Sequence, residues 1–90
     1  MTLEETIKIL EGAGCRRITP ETLNQIKKEN EVLYNSLERT LRRRKAQGEE
    51  YILIYTNNKN FCIYSEEYIK ENDVNSIKKK LKLWMRTPTA

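Results

Sequence analysis

The chain has 90 residues, with 17 lysines and arginines against 13 aspartates and glutamates, a net charge of +4 and an isoelectric point near 9.1. With 38% apolar and 33% charged residues it is too rich in Leu, Ile and Tyr for a disordered polymer and too short for a second core, so one small domain is expected. Histidine is absent, which removes the commonest general base and transition-metal ligand, so neither catalysis nor a cofactor is expected.

In chain order, Thr2 and Glu5 form a capping-box pattern, and Leu3, Ile7 and Leu10 recur on one face. They predict an amphipathic helix from Thr2 to Glu11, ended by Gly12. Gly12-Ala13-Gly14 reads as a flexible turn, and Cys15 to Ile18 as a connector. From Thr19 to Gly48 the pattern predicts one long helix. Thr19 is its N-cap, Pro20 stands at its first position, Ile18 and Leu23 form a hydrophobic staple, and Gly48 is the terminator. Leu23, Ile26, Leu33, Tyr34, Leu37 and Leu41 fall on one stripe, opposite Lys28, Asn35, Arg39, Arg42 and Arg43. Such a helix would be about 42 Å long. Asn30 lies in the middle of the stripe, and a break there would leave two shorter helices. The stripe stays in phase across it, which favours continuity, and Asn30 in an apolar stripe suits register control in a helical homodimer.

After Gly48, Tyr51 to Thr56 and Phe61 to Tyr64 read as two strands joined by the turn Asn57-Asn58-Lys59-Asn60. Pairing Thr56 with Phe61 puts Ile52, Ile54, Phe61 and Ile63 on one face of the hairpin, and Tyr51, Leu53, Tyr55, Cys62 and Tyr64 on the other. The tyrosine face either packs under the C-terminal segment or meets a partner. Ser65 caps a helical start that Asn72-Asp73 interrupts. From Asp73 a basic amphipathic helix carries Val74, Ile77, Leu81 and Trp84 inward and Lys79, Lys82 and Arg86 outward, and Thr87 to Ala90 reads as a frayed tail. The expected fold is a single α+β domain: two N-terminal helices, the second long, a two-stranded antiparallel hairpin and a C-terminal basic helix. No apolar run reaches membrane-spanning length and the N-terminus is acidic, so no membrane contact and a cytoplasmic location are expected. Cys15 and Cys62 form no CxxC pair and read as reduced thiols.

Two features point to function. Arg39, Arg42, Arg43 and Lys45 at the end of the long helix, and Lys79, Lys82 and Arg86 on the last one, are candidate phosphate contacts, because cations gain by displacing the counterions of a nucleic-acid backbone. Tyr51, Tyr55 and Tyr64 are candidate partner-facing aromatics. In addition, Ser36 to Gly48, SLERTLRRRKAQG, followed by the hairpin Tyr51 to Tyr64, resembles the recognition helix and wing of a winged helix-turn-helix DNA-binding domain. The resemblance implies that Ser36, Arg39, Thr40 and Arg43 lie near bases in a major groove. It also requires a turn before that helix, which only Asn30 can supply. Two functional readings follow. The first is a small basic nucleic-acid-binding protein acting as a regulator; the second is a small phage-type, anti-defence inhibitor that docks on a host protein.

Overall fold

A computed structural model describes the backbone of residues 1–86 and the side chains of residues 1–83. The elements run α1 (Leu3–Gly12), β1 (Arg16–Arg17), α2 (Pro20–Glu29), α3 (Glu31–Ala46), β2 (Tyr51–Thr56), β3 (Phe61–Ser65), α4 (Glu66–Glu71) and α5 (Val74–Arg86). The expected tail Thr87 to Ala90, and the side chains of Trp84 and Arg86, lie outside the described residues.

Helix α1 starts on the capping box read from Thr2 and Glu5. The Thr2 hydroxyl accepts from the Glu5 amide at 3.2 Å while the Glu5 carboxylate accepts from the Thr2 amide at 3.2 Å. The bond from the Thr2 amide, and then that from the Thr2 hydroxyl, which also donates to the carboxylate at 2.9 Å, hold the Glu5 carboxyl below its usual range. The helix includes Gly12, and the left-handed residue is Gly14 at φ 111°. The Gly14 amide donates to Glu11 and the Cys15 amide to Leu10, so the chain leaves through a Schellman turn into β1. Gly48 at φ 83° ends α3 in the same way, with its amide on Lys45 and that of Glu49 on Arg44. Both glycines aim a helix end at the sheet.

The helix expected from Thr19 to Gly48 is two helices, broken at Asn30. At φ −159° and ψ 97° Asn30 is extended, so the ladder stops there. Its amide still closes α2 on Ile26 at 2.8 Å, and its side-chain oxygen accepts from the Leu33 amide at 3.0 Å to open α3. Phase across Asn30 did not report continuity, because both helices fold round the same apolar centre. A 42 Å rod would also overrun a fold whose longest axis is 35 Å. The homodimer argument from Asn30 rested on the unbroken stripe and goes with it.

The sheet has three strands, not two, in the order β1-β2-β3, all antiparallel. β1 is two arginines with no strand propensity. It forms because Arg16 and Arg17 pair with Ile54 and Leu53, and because the Ile18 amide reaches the Ile52 carbonyl at 2.9 Å. Their guanidinium groups tie the edge to the helices: Arg16 to both Glu29 oxygens at 3.2 Å, Arg17 to Glu4 and Glu11. In the hairpin, Thr56 faces Phe61 as the pattern requires, but an irregularity between Tyr51 and Leu53 displaces Ile52 from its expected face. Ser65 caps α4 through the Tyr68 amide at 3.1 Å, and Asp73 opens α5 through the amides of Asn75 and Ser76.

Successive residues of β2 point to opposite faces, so the sheet separates two cores. On one side Leu53 meets Leu10, Ile69, Ile77 and Leu81 from α1, α4 and α5 and Cys15 from the turn before β1, with Ile52, Tyr55 and Tyr64 packed at its margin. On the other, Ile54 meets Ile26 and Leu37 from α2 and α3, flanked by Leu41, Phe61 and Ile63 and by the staple pair Ile18 and Leu23. No helix among the described residues is long and apolar enough to cross a membrane.

Two consequences are measurable. Leu37 is fully buried, and Leu37→Ala should lower the unfolding free energy in urea by about 2–5 kcal/mol through the cavity it leaves. Burial pushes the Cys15 thiol from its ordinary 9.0 up to about 11, so the folded chain keeps a proton that the unfolded chain has lost. That contribution to stability is complete below pH 9.0 and disappears as pH rises towards 11. The urea midpoint should fall over that window, and native Cys15 should resist alkylation near neutral pH.

Candidate nucleic-acid interface

Helix α3 buries Leu37, with Tyr34 and Leu41 beside it, against Ile54 and Ile26, and also buries Leu33 one turn earlier. At about 100° per residue the opposite face carries Val32, Asn35, Ser36, Arg39, Arg42 and Arg43. Arg39, Arg42, Arg43 and Lys45 are all exposed, but they are not equivalent. Arg42 is engaged by Glu38 one turn earlier, a pair that sits in water and contributes little to stability. Arg44 is turned to Glu49 at 3.2 Å, and Glu49 also accepts from the Tyr51 phenol at 2.8 Å. Those contacts, Tyr51 first, hold the Glu49 carboxyl low, while Glu49 pushes the Tyr51 phenol up. Arg39, Arg43 and Lys45 make no ion pair among the described residues.

Beside the first half of α3 an open groove of about 530 Å³ separates the helix from the hairpin tip. Val32, Ser36 and Arg39 line one wall, and Asn58, Lys59 and Asn60 the other. The tip is built by Asn57, whose side-chain oxygen accepts from the amides of Lys59 and Asn60, both at 2.8 Å. Asn30 ties it to the helix: its side-chain nitrogen donates to the Asn58 carbonyl at 3.1 Å while its oxygen caps α3. Thr40, which the resemblance places near bases, donates its hydroxyl to the Ser36 carbonyl at 3.0 Å.

The remaining candidates lie elsewhere. Lys79 and Lys82 are exposed on α5, which packs on the far side of the sheet from α3, so the two basic surfaces do not merge into one stripe. Tyr55 and Tyr64 are half-buried against the α1, α4 and α5 core. Tyr64 stacks on Tyr68 with ring centroids 5.7 Å apart, and burial drives its phenol strongly upward. Tyr51 is half-buried and held by Glu49. Among the described residues no group of His, Cys, Asp and Glu is placed to hold a metal ion.

Sequence reasoning missed the groove. Asn57 to Asn60 was legible as a turn and Asn30 as a break candidate, but nothing local tells that residues 28 positions apart meet. Comparison with protein-family models, curated proteins and solved structures returns no match.

Asn30→Asp keeps a capping oxygen for Leu33 but deletes the donor to Asn58. It should leave α3 intact by circular dichroism and lower the backbone amide order parameters of Asn58 to Asn60 in nitrogen-15 relaxation. Asn30→Ala removes both functions and should in addition destabilise by about 1 kcal/mol.

Proposed function

We propose that this chain is a small, non-enzymatic nucleic-acid-binding regulator that lays the outer face of α3 in the major groove of a duplex, with the β2–β3 hairpin beside it as a wing. The observation that carries this reading is the pairing of Arg39 and Arg43, exposed and outside any ion pair among the described residues, with a groove whose second wall is the hairpin tip. The break at Asn30 before α3, and the turn through Gly48 that leads from α3 to the hairpin, support the winged helix-turn-helix resemblance. A net charge of +4 favours approach to a polyanion.

The roles divide by position. Arg39, at the centre of the exposed stripe, and the half-buried Ser36 at its edge face bases; Arg43, Lys45 and Arg42, once Glu38 yields it, contact phosphates. Lys59 at the hairpin tip adds a phosphate contact on the other wall. Lys79 and Lys82 belong to the far surface and are left out of the interface. Tyr55 and Tyr64 serve the core in this reading, which is why it is preferred to one in which the tyrosine face docks on a host protein.

Affinity for generic duplex DNA should fall with salt at a log–log slope of about −0.9 per neutralised phosphate. Arg43→Ala and Lys45→Ala together should flatten that slope by about one unit per lost contact, with no change in thermal midpoint. Lys79→Ala with Lys82→Ala should leave it unchanged. Absence of binding to duplex or single-stranded nucleic acid at low salt would refute the reading and leave the α3 cations to an acidic protein surface.

A further inference from the structure

Helices α1 and α5 pack against each other over the first core through Ile7, Leu10, Ile77 and Leu81. Between them, on the far side of the sheet from α3, lies an open groove of about 430 Å³ lined by Ile9, Gly12, Ala13, Lys78 and Lys82. Its two walls differ in character. The α1 wall is apolar and low: Ile9 and Ala13 lie half-buried at the margin of the core, and Gly12 is bare. The α5 wall is cationic. Lys78 is half-buried, and a lysine in that setting covers apolar surface with its stem while its ammonium stays in water. Lys82 is exposed one turn later, about 6 Å further along the axis at about 1.5 Å per residue. Neither lysine makes an ion pair among the described residues. Gly12 is the residue that folding does not explain. The left-handed residue that ends α1 is Gly14; Gly12 has no positive φ, and a Cβ there would meet nothing within 4 Å. Glycine is a poor helix former, so an alanine would fit and would favour α1. What the missing side chain leaves is a stretch of groove floor where another chain reaches the backbone closely.

We infer that this groove docks an acidic segment of a partner protein, which lays an apolar side chain over Gly12 between Ile9 and Ala13 and brings two carboxylates to Lys78 and Lys82. Charge complementarity selects that occupant: an apolar floor beside a cationic wall matches a chain with an apolar face and an acidic edge. A nucleic-acid backbone satisfies the lysines but sets phosphate and sugar against Ile9 and Ala13. An anionic membrane surface is flat and does not follow a groove between two helices. The inference does not rest on what α3 binds. The sheet lies between the two surfaces, so one molecule can carry both occupants at once. With nucleic acid on α3, such a chain brings an acidic protein to a nucleic-acid site.

The test selects a random-sequence peptide library on the folded full chain at low salt and measures the enriched peptides by fluorescence anisotropy. They should carry an apolar residue next to a pair of acids, and their affinity should fall as salt rises. Lys78→Gln with Lys82→Gln keeps most of each stem and removes both charges; it should weaken binding about tenfold with an unchanged melting temperature. Gly12→Leu fills the groove floor; it should melt no lower than the wild type and weaken binding at least as much. Amide shifts should move at Ile9, Gly12, Ala13, Lys78 and Lys82 as peptide is added, and stay in place at Arg39 and Asn58. Enrichment of no peptide, of peptides without acids, or of peptides whose affinity either variant leaves unchanged overturns the proposal. Displacement of the peptide by duplex DNA or by phosphatidylserine vesicles overturns it in favour of a phosphate-bearing ligand, and a dimer of the chain that both variants dissolve overturns it in favour of a second copy. Peptide binding that persists in a chain unable to bind any nucleic acid strikes the proposed function of α3 alone.

Discussion

The arrangement of the α2 and α3 side of the molecule depends on three of the hydrogen bonds of Asn30. Its amide ends α2, its side-chain oxygen starts α3, and its side-chain nitrogen holds the hairpin tip. A residue in extended geometry between two helices leaves orphan donors and acceptors on both sides, and a short amide side chain satisfies several at once. The corner it makes turns Ile26 and Leu37 onto Ile54. It also sets how far α3 stands from the hairpin, and therefore the width of the groove between them.

Electrostatics in this chain serve two purposes that the composition alone runs together. Arg16 and Arg17 hold α2 and α1 to the sheet edge through Glu29, Glu4 and Glu11, and Arg44 is fastened to Glu49 beside the end of α3. These cations are partnered within the fold. Arg39, Arg43 and Lys45 are not, among the described residues, and they stand on the face that turns away from the core. A formal charge of +4 thus understates the local asymmetry on this face of α3, because Glu4, Glu11, Glu29 and Glu49 are held against other arginines. On the proposed reading this residue of unpaired charge is what a phosphate backbone meets.

Much of the fold could be read directly. The caps at Thr2, Thr19 and Ser65, the terminator at Gly48, the hairpin register and the inward residues of α5 through Leu81 all follow from local rules, because each is decided by residues within a turn of one another. What could not be read was non-local. β1 exists because β2 offers an edge, not because two arginines favour extension. The break at Asn30 depends on α2 and α3 sharing one core, which keeps the stripe in phase on both sides. The irregularity at Ile52 shifts one side chain across the sheet without a glycine or proline to mark it. For the candidate interface, Arg39 and Arg43 were legible as an outward face. The groove was not, since its second wall comes from residues 58–60 and its tether spans 28 positions. That the α3 and α5 cations lie on separate surfaces was likewise not local information: the sheet lies between the two helices.

The central claim, that α3 and the hairpin tip form one nucleic-acid surface, is tested most directly by mapping. Amide chemical shifts of the isotopically labelled chain, recorded as duplex DNA is added, should move at Val32, Ser36, Arg39, Arg43 and Asn58 to Asn60, and stay in place at Lys79, Lys82 and Tyr64. Shifts concentrated on α5 or on the tyrosine side of the sheet, with α3 unmoved, would contradict the account.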